Sequence, residues 1–100
     1  MKAIAEVQVI PIGAGVSVRE PVKRAHHLLE ASGLQVQLHA NGTNIEGDWD
    51  QVMAALKACH ERLHEMGVPR IATNLRLGTR VDREPSMDAK LRSVKEKLEP

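Results

Sequence analysis

Aromatic residues are almost absent from this chain of 100 residues, in which Trp49 stands without a single phenylalanine or tyrosine. Proteins that bind single-stranded nucleic acid stack the bases on aromatic rings, and one ring cannot form such a platform. The formal net charge is +1, so the chain also lacks the basic field that attracts a phosphate backbone. We therefore expect no nucleic-acid partner.

Cysteine and long apolar runs are also scarce. Cys59 is the only cysteine, which excludes an intramolecular disulfide and predicts a small buried residue on a helix face. Glu6 and Gln8 interrupt the apolar residues near the N-terminus, where a signal peptide would need an unbroken stretch. No segment is apolar over the length that a bilayer requires. We expect one domain over residues 1–100, located in the cytoplasm and without membrane contact.

Apolar residues that alternate with polar ones predict four strands, because successive side chains of a strand point to opposite faces. The predicted strands cover residues 3–11, 34–40, 43–47 and 70–77. Between the second and the third strand, Asn41-Gly42 is typical of a tight hairpin turn in which both residues adopt a positive φ.

Apolar residues at helical spacing predict three helices. The first begins with a capping box at Ser17 and ends near Gly33, and the second begins with a capping box at Asp48 and ends at Gly67. The third begins at Ser86. The order β-α-β-β-α-β with an added C-terminal helix predicts the α+β class and a ferredoxin-like sandwich. In that fold, a four-stranded antiparallel sheet carries two helices on one face.

The face of the sheet without helices is predicted to be mostly polar. Such a face is either solvated or pairs with a second subunit. Its uncharged amides, which include Gln8, provide donors and acceptors suited to a neutral heterocycle. We expect an oligomer with polar ligand sites near this face. Its predicted residues are Ile4, Glu6, Gln8, Ile10, Gln35, Gln37, His39, Ala72, Asn74 and Arg76.

The stretch HERLH, from His60 to His64, matches the zinc motif H-E-x-x-H, in which two histidines lie one helical turn apart beside a glutamate base. A zinc hydrolase also needs a third ligand and an open coordination position, and no later histidine follows in the spacing of the longer zinc motifs. Cys59 and Leu63 belong to the apolar stripe of this helix, which the two histidines flank. We interpret the motif as the end of an amphipathic helix and expect no catalytic residues, metal ligands or cofactor.

Four stretches of the chain resemble the thiamine-binding, YkoF-like family of small ferredoxin-like proteins. The most specific parts are Pro11-Ile12-Gly13 before Ser17-Val18, and Gly42-Thr43 before Glu46-Gly47. The resemblance implies a non-enzymatic protein that binds thiamine or its hydroxymethylpyrimidine part. It also implies a homo-oligomer, commonly a tetramer built by packing sheet against sheet. The stretches are EVQVIPIGAGVSV (6–18), SGLQVQLHANGTNIEG (32–47), HERLHEMGVPRIATNLRL (60–77) and MDAKLRSVKEKL (87–98).

The positions that match this family suggest how an aminopyrimidine would be bound. We expect Glu46 to accept from the exocyclic amine, while Thr43 and the Gly42 backbone meet the edge of the ring. Glu46 also fits a solvated strand residue, and Ser17 either caps its helix or holds an anionic group at the helix N-terminus. Together with Gln8, these are the candidate ligand-binding residues. The alternative function is an oligomeric regulatory or assembly partner without a tight small-molecule ligand.

Overall fold

A four-stranded antiparallel sheet forms the centre of the computed structural model, which describes residues 1–13 and 19–98. Its strands are β1 (Lys2–Ile12), β2 (Gln35–His39), β3 (Gly42–Asp48) and β4 (Arg70–Thr79), in the spatial order β2-β3-β1-β4. The helices are α1 (Arg19–Ala31), α2 (Trp49–Glu65) and α3 (Met87–Leu98). The predicted ferredoxin-like sandwich with a C-terminal helix is confirmed.

The alternation of residues in the strands decides which face the helices cover. In the ladders that β1 forms with β3 and β4, Ala5 pairs with Ile45 and with Leu77, so these three side chains share one face. Helices α1 and α2 pack on that face and close the hydrophobic core over it. The buried core residues are Ala5, Val7, Ala25, Leu29, Leu34, Ile45, Val52, Ala55, Leu56, Cys59, Leu63 and Val68.

Cys59 lies where the two helices of the core meet. Its side chain is fully buried, and its thiol donates to the carbonyl oxygen of Ala25 on the neighbouring helix over 3.5 Å. Burial raises the pKa of the Cys59 thiol to about 11, which keeps it protonated and unreactive at neutral pH. The prediction of a small buried residue on a helix face is confirmed.

The hairpin between β2 and β3 turns one residue earlier than the sequence suggested. Ala40 and Asn41 form the turn, and Gly42 is already the first residue of β3. Among the described residues, only glycines adopt a positive φ, so the expected positive φ at Asn41 is wrong. Gly42 does have a positive φ, of 158°, and a Cβ atom at this position would also lie 2.5 Å from the carbonyl oxygen of Val7.

Helix α2 begins at the predicted N-cap and is followed by the predicted glycine, although the cap accepts from Asp50 and not from Gln51 as a capping box requires. Asp48 is its N-cap and accepts from the amide of Asp50 over 3.3 Å, while Gly67 follows its end with a φ of 94°. The capping box predicted at Ser17 lies outside the described residues. No helix in the described parts of the chain combines the length and the apolar composition needed to cross a membrane.

Candidate functional site

Strand β3 places the predicted ligand residues on two different faces of the sheet. Thr43 pairs with Val7 in the ladder to β1 and shares the face covered by helices, whereas Glu46 pairs with Ile4 and belongs to the open face. Side chains at strand positions that differ by an odd number point to opposite faces, and positions 43 and 46 differ by three, so the structure does not bring Thr43 and Glu46 together.

Glu46 is engaged by the third helix. Its side chain is only 4% exposed, and its Oε1 atom accepts from the backbone amide of Met87 over 2.9 Å. Met87 is the first residue of α3, whose initial amides have no partner within the helix. The carboxylate therefore fixes the start of α3 on the open face, where the sequence predicts no helix.

A cleft of about 440 Å³ lies between α1 and the sheet, at the end where the β2–β3 hairpin turns. Three of the five candidate residues line it, namely Gln8, Gly42 and Thr43. Glu46 does not line it, and Ser17 lies outside the described residues. The remaining lining residues are Val7, Val9, Ile10, Pro11, Val22, Ala25, His26, Leu29, Leu38, His39, Ala40 and Asn41.

Thr43 contributes a hydroxyl group to a wall that is otherwise mainly apolar. The residue is 7% exposed, and its neighbours across the ladders are Val7 and Leu38. Within the described residues its hydroxyl has no hydrogen-bond partner. A hydroxyl is a donor and an acceptor at once, so this group is free to bind a polar atom of a ligand in the cleft.

His26 is a polar residue of the cleft that is not among the candidates predicted from the sequence. It lies on α1, and its Nε2 atom is 3.1 Å from Oε1 of Glu30, one turn later on the same helix. Its Nδ1 atom is buried and has no hydrogen-bond partner among the described residues. The spacing of a histidine and a glutamate at i and i+4 was visible in the sequence, but the burial of one ring nitrogen was not.

Polar side chains in the amide-rich part of the open face form hydrogen bonds with one another. His39 accepts at Nδ1 from the Asn41 amide over 3.3 Å, so its Nε2 carries the hydrogen and donates to Oδ1 of Asn44 over 3.1 Å. The Nδ2 group of Asn44 donates in turn to Gln37 over 3.4 Å. These groups stabilise the sheet surface by pairing with each other, which leaves fewer of them available to a ligand.

A second and wider cleft, of about 680 Å³, lies on the open face beneath the start of α3. Its lining mixes apolar residues with five charged side chains, namely Glu6, Arg76, Arg80, Asp82 and Lys90. Arg80 donates two hydrogen bonds to Asp82 at its rim, and this contact lowers the pKa of the Asp82 carboxyl to about 2. In this cleft some of the charged side chains are paired with each other. The walls of the cleft beside α1 are mainly apolar and carry few polar atoms.

The HERLH histidines both have partners within the fold. Nε2 of His60 lies 2.6 Å from the hydroxyl oxygen of Thr73, and Nδ1 of His64 donates to the carbonyl oxygen of Val68 over 2.8 Å. No group of three or more potential metal ligands occurs in the described residues. The geometry thus gives these imidazoles a role in fastening α2 to the sheet and to the loop that follows it.

Comparison with known proteins finds a matching family model and several similar proteins. Residues 5–95 match the family model described as thiamine-binding protein. A UPF0045 protein of Synechocystis sp. is 50% identical over 99% of this chain and 82% of its own length. The UPF0045 protein YqgV of Bacillus subtilis is 37% identical over 98% of this chain and 99% of its own length.

Solved structures with the same fold include two that bear on this chain. The hypothetical protein MJ1052 of Methanocaldococcus jannaschii is 36% identical, with a TM-score of 0.86 over 95% of this chain and 97% of its own. A protein of Thermotoga maritima described as a putative thiamine biosynthesis/salvage protein is 18% identical, with a TM-score of 0.81 over 94% of this chain and 99% of its own. At that identity the second likeness establishes the fold alone.

Proposed function

The chain belongs to the thiamine-binding protein family, and from this premise we propose that it binds thiamine, or the hydroxymethylpyrimidine part of thiamine, in the cleft beside α1. The observation that supports this proposal is the unpartnered hydroxyl of Thr43 in the apolar wall of that cleft. Small-molecule sites are typically apolar clefts of this size with a few polar groups that orient the ligand.

An aminopyrimidine matches such a wall in shape and in polarity. Its two faces are flat and apolar, and they would pack against aliphatic side chains such as Val22 and Leu38, because no phenylalanine, tyrosine or tryptophan is among the residues that line the cleft. Its edge presents an amine donor beside a ring nitrogen acceptor. The hydroxyl of Thr43 donates to that acceptor, and the close approach of Gly42 to β1 keeps the wall narrow.

The proposed role is binding without catalysis. Catalysis by a nucleophile or a general base requires an activated side chain within reach of the ligand. The Cys59 thiol is buried and its raised pKa keeps it protonated, and His60 is engaged by Thr73. The polar groups that line the cleft are suited to orienting a ligand.

We also propose that the protein acts as a homo-oligomer, most simply a tetramer, through its open sheet face and α3. Leu91, Val94 and Leu98 recur along one side of α3 and are 40%, 57% and 76% exposed. A helix with an uncovered apolar stripe is stabilised when a second subunit covers it. Native mass spectrometry of the untagged protein tests this assembly, and a monomer at high concentration would contradict it.

The second candidate function is an assembly or regulatory partner whose oligomer is itself the active form. The exposed stripe of α3 is the observation that favours it. Native mass spectrometry separates the two functions, because a ligand-binding protein purified from cells is expected to retain or take up thiamine in addition to assembling. An oligomer that takes up no thiamine would favour the second function.

Replacement of Thr43 by valine tests the proposed site. Val has nearly the same shape and lacks the hydroxyl, so we expect thiamine affinity to fall roughly 10-fold, while the fold is retained. Isothermal titration calorimetry measures the affinity. Thr79→Val is the matched control. Thr79 pairs with Ala3 and so belongs to the same helix-covered face as Thr43, but it does not line this cleft. Equal affinities for the two variants would remove Thr43 from the site, and absence of binding by the unaltered protein would refute the proposed function.

A further inference from the structure

Strand β1 extends further than the strand beside it. It pairs with β4 as far as its last residue, Ile12, but its ladder with β3 ends at the pair of Val7 and Thr43. The reason is that β3 begins at Gly42, directly after the hairpin turn. In the part of the chain that the structure describes, residues 8–12 of β1 therefore have no neighbouring strand on that edge.

The peptide groups of Val9 point to this open edge. A Cβ atom on Gly42 would lie 2.5 Å from the carbonyl oxygen of Val7, so that carbonyl points toward β3. In an antiparallel sheet, residues two positions apart direct their N–H and C=O groups to the same side. The N–H and C=O of Val9 consequently point to the β3 side, beyond the last pair of that ladder. Outside the strand ladders, no backbone hydrogen bond of the described residues involves Val9.

The open edge lies inside the cleft beside α1. Val9 is half-buried and lines this cleft, together with residues of α1 and of the hairpin turn. An unpaired strand edge is a template for further hydrogen bonds, because it presents donors and acceptors in a fixed row. A cleft of about 440 Å³ has the size of a small-molecule site, so the partner that fits this edge is a small molecule.

We propose that the backbone of Val9 binds the polar edge of the ligand in the place where β3 would continue. This inference rests on the proposed function and deepens it, because it names the ligand atoms that the cleft recognises. In an antiparallel ladder, a residue that faces its neighbour exchanges two hydrogen bonds with it. An aminopyrimidine with a hydroxymethyl group on the adjacent ring carbon provides the same pair. Its amine donates to the Val9 carbonyl oxygen, and its hydroxymethyl oxygen accepts from the Val9 amide.

Val9→Pro removes the donor without breaking a ladder hydrogen bond. Proline has no N–H and is accepted in a strand where the N–H is unpaired. Ile71→Pro is the matched control, since Val9 and Ile71 are both partly buried, β-branched residues packed against the core. Ile71 pairs with Pro11 on the outermost strand, so its N–H points to the outer edge of the sheet. It does not line the cleft.

The experiment titrates 4-amino-5-hydroxymethyl-2-methylpyrimidine and 4-amino-2,5-dimethylpyrimidine, which lacks the hydroxyl group, into the three proteins by calorimetry. We expect the unaltered protein and Ile71→Pro to prefer the hydroxymethyl compound by roughly 10-fold, because the dimethyl compound leaves the Val9 amide without an acceptor. Val9→Pro should bind the two compounds within about twofold. A preference in Val9→Pro as large as that of the unaltered protein would refute the role of this amide.

Amide hydrogen exchange in the unaltered protein keeps the test decisive if Val9→Pro fails to fold. Without ligand, we expect the Val9 amide to exchange faster than the Val7 amide, which faces β3. Saturation with the hydroxymethyl compound should slow the exchange of Val9 by roughly 10-fold, and the dimethyl compound should slow it less. Equal exchange of the two amides without ligand would show that the edge is already paired, which refutes the inference.

The carbonyl group of Val9 has its own readout. The compound 5-hydroxymethyl-2-methylpyrimidine lacks the amine, so we expect it to bind the unaltered protein roughly 10-fold more weakly than the amino compound. The ¹³C resonance of the Val9 carbonyl should shift when the amino compound is added and stay in place with the compound that lacks the amine. Equal shifts with the two compounds would refute the acceptor role.

The outcomes separate this inference from the proposed function. If none of the three pyrimidines binds to the unaltered protein, both fail. If the hydroxymethyl compound binds but neither the amide exchange nor the carbonyl resonance of Val9 responds to it, the proposed function stands and the role of Val9 is refuted.

Discussion

The two faces of the sheet differ in what their buried polar groups do, and strand β3 contains an example of each. Thr43 on the helix-covered face has no hydrogen-bond partner within the described residues, whereas Glu46 on the open face accepts from the Met87 amide. Both side chains are less than a tenth exposed. Burial by itself therefore does not identify a ligand residue. A partnered group stabilises the fold, and an unpartnered one is available to a ligand.

Two histidines repeat this difference on the covered side of the sheet. Nε2 of His60 is hydrogen-bonded to Thr73, while Nδ1 of His26 has no partner in the part of the chain that the structure describes. The histidine that belongs to a conspicuous motif is thus occupied by the fold. The one without any motif has a buried ring nitrogen that lacks a partner among the described residues.

Gly42→Ala should have the largest effect on stability, because it disrupts the covered face at the wall of the cleft. The added Cβ atom would lie 2.5 Å from the Val7 carbonyl oxygen, and backbone atoms cannot yield as a flexible side chain does. We expect the free energy of unfolding to fall by roughly 2–4 kcal/mol, measured by urea denaturation. Gly78→Ala is the control, since nothing lies within 4 Å of a Cβ atom there. A loss no larger than that of Gly78→Ala would show that β1 and β3 can separate at low cost.

Glu46→Ala should have an intermediate effect, confined to the open face. Removal of the carboxylate leaves the Met87 amide without its acceptor, so we expect a loss of about 2 kcal/mol. Amide hydrogen exchange should accelerate at the start of α3, while thiamine affinity changes less than in Thr43→Val. Glu84→Ala removes an exposed ion pair with Lys2 and is the control of small effect.

The Glu46 variant also discriminates between the two readings of this residue. Should Glu46→Ala abolish thiamine binding while exchange at Met87 stays slow, the carboxylate would belong to the ligand site, as the family resemblance implies, and the anchoring role would be refuted. Glu46→Gln retains an acceptor oxygen for Met87, so its exchange rates should lie between those of the unaltered protein and Glu46→Ala.

The fold was predictable because its signals are local. The alternation of Ala3, Ala5 and Val7 with Ile4 and Glu6 determines the covered face of β1, and the order of the elements then allows few topologies. The turn residues were misplaced by one position because Asn-Gly favours a turn by local preference. In the structure, the approach of Gly42 to Val7 depends on a strand that is distant in sequence.

The site was only partly predictable because it depends on contacts between distant residues. Gln8, Gly42 and Thr43 were named from the sequence and line one cleft. Glu46 was grouped with them, but its partner Met87 is 41 positions further along the chain, beyond the reach of any local pattern. The spacing of His26 and Glu30 was visible, yet which ring nitrogen is buried depends on how α1 packs against the sheet.

Thr73→Val should have the smallest effect and sharpens the contrast between the two histidines. The variant removes the hydroxyl that lies 2.6 Å from Nε2 of His60, so we expect a loss of about 1 kcal/mol with unchanged thiamine affinity. Thr79→Val controls for the change in side-chain type on the same strand. If the two variants unfold at the same denaturant concentration, the contact between His60 and Thr73 contributes nothing to stability. His60 would then be as free as His26, and the HERLH stretch would again be a candidate for a function of its own.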